Sequence, residues 1–120
     1  MRELRKIKKA VNCYLKLIAT DQQNARRYCK EYLQDVDILQ TTIEAYIDQT
    51  SKIFKDWCNA SVNIFDLPEN NILQKIKKMI NLKIVNHYLN KFSYELSASG
   101  LLQKKLTIIK ERLTQYQYFT

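Results

Sequence analysis

Apolar residues recur every three or four positions along most of this chain, and that recurrence predicts helices. Leu4, Ile7, Val11, Tyr14, Leu15 and Ile18 form the first series, while Arg2, Arg5, Lys6, Lys9 and Lys16 project onto the opposite face. A helix is expected over about 3–19. Thr20 or Asp21 then offers an N-cap, and Gln23 would complete a capping box with Thr20. A second series runs Ala25, Tyr28, Tyr32, Val36, Leu39, Ile43, Tyr46, Thr50, Ile53, Trp57 with no breaker inside it. It predicts a long helix over about 22–58, with Thr50-Ser51 the one place where a break is cheap. Only a cap separates these two elements, so one continuous helix is the alternative.

Asn59 to Glu69 reads as the main loop. Asp66-Leu67-Pro68 reads as a stop and then a start, because proline suits the first helical position and disfavours helix just before itself. The next helix, about 69–98, carries a rotating stripe. Ile72, Leu73, Ile76, Met79 and Ile80 share one face; Val85, Tyr88, Leu89, Phe92 and Leu96 share nearly the opposite one. That pattern means a kink near Asn81–Asn86, or a helix covered on different sides along its length. Gly100 fits a C-terminal cap, with Ser97 or Ser99 as the N-cap of a further helix. That last helix, about 101–116, aligns Leu102, Leu106, Ile109, Leu113 and Tyr116. The alternating tail after it reads as frayed or extended. The predicted fold is therefore all-α, with residues 1–120 forming a single antiparallel bundle of about four helices, two long and two shorter. The short helices leave part of the long hairpin's stripe uncovered, so an oligomer or a subunit of a larger complex is expected.

Composition agrees with this pattern. One glycine and one proline in 120 residues leave few tight turns, and a sheet needs many. Hydrophobic residues at 46% are enough for a core, and no run approaches the ~20 apolar residues of a membrane span. Cys13, Cys29 and Cys58 are odd in number and have no C-x-x-C spacing, and His87 is the only histidine. They read as small apolar side chains in a reducing compartment rather than a disulfide framework or zinc site. The basic first twenty residues lack the apolar run of a signal peptide and the serine enrichment of a mitochondrial presequence, so a cytoplasmic location is expected. Asn59-Ala60-Ser61 then reads as an accidental sequon.

Charge is segregated. Residues 1–30 carry +7, residues 31–70 carry −6 and residues 71–120 carry +7, for a net +8. Part of this has a structural explanation. In an antiparallel hairpin, Glu44, Asp48 and Asp56 would face Lys75, Lys77 and Lys78 and set the register. The cations of the first helix have no acidic stripe reserved for them. With Arg26, Arg27 and Lys30 they form a candidate nucleic-acid-binding set: Arg2, Arg5, Lys6, Lys9, Lys16, Arg26, Arg27, Lys30. Phosphate backbones demand only positive charge at a suitable pitch. A solvated helix face is the plain alternative, and a membrane-surface helix is a third reading that lacks Trp or Phe anchors. Tyr14, Tyr28 and Tyr32 lie near these cations and could stack on bases, but their place on the apolar stripe favours packing.

No catalytic motif appears, and a single glycine excludes most phosphate-binding loops. Glu31 with Asp35 and Glu44 with Asp48 are i, i+4 acid pairs, but no histidine stands three residues after a glutamate as di-metal bundles require. No enzyme activity, cofactor or metal is expected. Trp57 reads as closing the core against the loop, or, with Tyr46 and Phe54, as part of a protein interface. Two functions are expected from these features. One is a subunit that binds nucleic-acid backbone. The other is an inhibitor, immunity-type or adaptor protein that docks through the uncovered stripe and the acidic band 31–70.

Overall fold

Polar punctuation decides where these helices break, and it does so in fewer places than the sequence offers. The computed structural model describes residues 2–119, with side-chain environments over 3–118. Its helices are, in chain order, α1 (Arg2–Thr20), α2 (Gln22–Arg27), α3 (Cys29–Phe65) and α4 (Ile72–Phe119). Among the described residues there is no strand, so the fold is all-α.

The break after α1 belongs to Asp21. Its carboxylate accepts from the Asn24 backbone N–H at 3.3 Å and from the Asn24 side-chain amide at 2.7 Å, which makes it the N-cap of α2. Thr20 instead turns its hydroxyl back to the Lys16 carbonyl at 2.6 Å, so the capping box with Gln23 does not form. Between α2 and α3 only Tyr28 departs from helical angles, and the i to i−4 bonds run on through it (Tyr28 N to Asn24 O, Tyr32 N to Tyr28 O, both 3.0 Å).

Three expected boundaries move. The main loop begins at 66 rather than 59, because Asn59, Ser61 and Asn63 stay helical between Ala60, Val62 and Ile64. The helix ends where its hydrogen bonding tightens, with Leu67 N bonding Ile64 O at 3.1 Å just before Pro68. Pro68 does not open the next helix. Asn71 does, accepting from Gln74 N at 2.8 Å while the Gln74 side chain accepts from Asn70 N at 2.8 Å. Finally, the two helices expected at 69–98 and 101–116 are one. Gly100 has helical, negative φ and does not cap. A lone interior glycine costs only about 1 kcal/mol, and burial of Leu102, Leu106, Ile109 and Leu113 on the same helix offsets it. The tail is helical to Phe119.

Contacts gather into two units. The first comprises residues 1–47 and 97–120. Its core joins Leu4, Ile7 and Val11 of α1 and Ala25 of α2 to Cys29, Val36 and Ile43 of α3 and to Leu102, Leu106, Ile109, Leu113 and Tyr116 of α4. Arg26 lies over Tyr116 at 5.3 Å, and Lys110 pairs with Asp37 at 3.2 Å. Within this unit α3 and α4 therefore run antiparallel. Ile43, Leu106, Ile109 and Leu113 are under 2% exposed, and each such large side chain contributes about 1.5–3 kcal/mol.

The second unit, residues 48–96, is a helical hairpin. Trp57 stacks on Tyr88 with ring centres 4.6 Å apart, and Val85 is buried. Lys78 ties the turn down: it donates to the Leu67 carbonyl at 3.1 Å, pairs with Glu69 at 3.1 Å and lies over Phe65. The expected register pairs are not made. No ion pair joins Asp48 or Asp56 to Lys75, Lys77 or Lys78 among the described residues. Aromatic stacking and Val85 hold the hairpin instead.

Candidate nucleic-acid interface

The core stripe of α1 fixes where its cations go. Leu4, Ile7 and Val11 are buried, so residues about half a turn away must face solvent. Arg5, Lys6, Lys9 and Lys16 are all exposed. None of them makes an ion pair among the described residues. Arg2 opens the same helix, but its side chain lies outside the described residues. Lys8, outside the candidate set, is likewise exposed and without an ion pair among the described residues. Lys30 is exposed at the start of α3.

The two arginines of α2 are engaged differently. Arg26 sits over the buried Tyr116 ring, and Arg27 sits over Tyr28 at 5.4 Å. Guanidinium on an aromatic face keeps outward N–H donors available while fixing the side chain. The described side chains of the candidate set thus divide into four solvated cations on α1, two ring-anchored arginines and Lys30.

The tyrosines are occupied by one another. Tyr14 and Tyr32 meet edge to face at 5.7 Å, and Tyr28 meets Tyr32 at 6.1 Å. Tyr14 and Tyr32 pack against the core. Tyr28, 40% exposed, is the most open of the three, with Arg27 lying over its ring. The Tyr14 hydroxyl donates to Asp35 at 2.8 Å. Partial burial, and then this bond to a carboxylate, raise its pKa above the ordinary tyrosine value.

Comparison with known protein families, curated proteins and solved structures finds no match.

Other candidates scatter. Trp57 is half-buried in its stack on Tyr88, Tyr46 packs on the core of the first unit and Phe54 is half-buried in the second. Cys13 is exposed on the cationic side of α1, Cys29 is buried and Cys58 is half-buried, and all three are free thiols. Exposed His87 lies edge-on to Tyr88 at 5.4 Å. Among the described residues no three His, Cys, Asp or Glu side chains gather closely enough to hold a metal ion. Nor is any helix among them long and apolar enough to cross a membrane. A groove of about 720 Å³ lies over Gly100 between Gln40, Glu44 and Lys104. Its lining has no histidine or cysteine.

Proposed function

We propose that this chain is a non-enzymatic subunit that binds the phosphate backbone of a nucleic acid through α1, as part of a larger assembly. The observation that carries this reading is the set Arg5, Lys6, Lys9 and Lys16, exposed opposite the buried stripe and free of ion pairs among the described residues. Unpaired cations on a rigid helix are pre-placed for phosphates, and they require no sequence motif. Arg26, Arg27 and Lys30 extend the face, and the exposed Tyr28 lies beside them. The test is fluorescence anisotropy with labelled random-sequence DNA and RNA oligonucleotides over a salt series. Binding at low salt that weakens steeply with added salt supports the reading. Absence of binding at about 50 mM salt would overturn it.

A second reading, a protein-interaction module, is favoured by the exposed apolar residues of the second unit.

A further inference from the structure

In the second unit α4 carries two apolar faces, and α3 covers only one of them. From Val85 through Phe92, the side of α4 that carries Val85, Tyr88, Leu89 and Phe92 meets α3, with Tyr88 on Trp57. At 3.6 residues per turn, Ile72, Leu73, Ile76, Met79, Ile80 and Ile84 fall on nearly the opposite side. All six are between 47% and 76% exposed. Together they present on the order of 700 Å² of accessible surface, beyond what a monomer ordinarily leaves contiguous and near the ~800 Å² that one partner contributes to a standard interface. The rotating stripe of the sequence is thus one unbroken helix with two apolar faces, one covered by α3 and one bare.

The charge around the bare face says what fits it. Lys75 lies along one edge and Lys77 along the other, both exposed, and exposed Lys83 closes the far end. Between Ile72 and Tyr94 there are five lysines and no acid. A second copy seated face to face would set these lysines against their own counterparts. A lipid surface is a poorer occupant, because the face has no aromatic anchor and Lys83 interrupts it after about three turns. Anchors at i, i+4, i+7 and i+8 (Ile72, Ile76, Met79, Ile80) have the mixed three- and four-residue spacing by which one amphipathic helix lies along another.

We propose that this lysine-edged face is the docking site for an acidic amphipathic helix of another protein. It stands on different residues from the nucleic-acid reading, so each can fail alone. The probe is a labelled 18-residue helical peptide with leucines on one face and glutamates elsewhere, compared with its counterpart bearing lysines in place of the glutamates. The full chain should bind the acidic peptide at least ten-fold more tightly than the basic one. Ile76→Gln with Ile80→Gln should lose at least ten-fold in affinity while circular dichroism stays unchanged, since both side chains are solvent-exposed. Lys75→Glu with Lys77→Glu should narrow or invert the preference. Arg5→Glu, Lys6→Glu and Lys9→Glu should leave peptide binding within two-fold. Equal binding of the two peptides would overturn the proposal. So would loss of binding in the α1 variant alone. It would equally fall if light scattering showed a dimer that the Gln variant dissociates without any peptide uptake, or if anionic phosphatidylserine vesicles were bound and the peptide was not.

Discussion

Tyr14 holds its proton more tightly folded than unfolded, because burial and the bond to Asp35 both disfavour the phenolate. The unfolded chain releases that proton near pH 10. The stabilisation is therefore complete below about pH 10 and is lost as the pH rises toward the higher folded value. Tyr14→Phe should cost about 1 kcal/mol at neutral pH, discounted for partial exposure. It should also flatten the fall in stability above pH 10, read from urea midpoints at pH 7, 9.5 and 11. Gly100 makes the opposite case. Its φ is helical, and a methyl group added there meets nothing within 4 Å. Gly100→Ala should therefore raise stability by about 0.5–1 kcal/mol in thermal unfolding. If it destabilises instead, the backbone at 100 is not the uninterrupted helix described.

Helices are the legible part of this chain, and helix ends are not. The stripes over 4–18 and 25–57 translate directly into α1 and into α2 with α3, because period alone reports a buried face. The loop start and the expected break at Gly100 are misplaced at residues that look like breakers. Asn59, Ser61 and Gly100 each carry a helix-propensity penalty of no more than about 1 kcal/mol, too small to end a helix alone. Pro68 does mark the turn, but the restart waits for a side chain able to cap, Asn71. Asn71→Ala should accordingly cost about 1 kcal/mol and fray the first turn of α4. Hydrogen exchange would show that as faster exchange confined to the amides of residues 72–75, with residues 102–113 unchanged. The bare face of α4 is half-legible: the sequence shows two stripes, but not which of them a neighbour covers. The cations of α1 are legible as a face, whereas the ring contacts of Arg26 and Arg27 depend on burial that period does not report, and that of Arg26 on a tyrosine far along the chain.

At the scale of the whole molecule, a net charge of +8 raises a rival explanation for any polyanion affinity. Diffuse positive charge attracts nucleic acid without a site. The two causes separate by comparing variants of equal charge. Arg5→Glu, Lys6→Glu and Lys9→Glu together lower the net charge by six, and so do Lys55→Glu, Lys104→Glu and Arg112→Glu, which are exposed and lie outside the candidate face. Attraction by net charge alone weakens binding equally in both triples. A site on α1 responds unequally. The wild-type slope of log K against log salt should be about −3 to −4 if four helix cations meet B-form phosphates, at ~0.9 per contact. The first triple should bring that slope toward about −1 and weaken binding by at least ten-fold at about 100 mM salt. The second should change the affinity but leave the slope near its original value, because the number of phosphates contacted is the same. Alkylation of exposed Cys13 supplies the positional check. Bound oligonucleotide should slow it in the wild type and in the second triple, and should not slow it in the first.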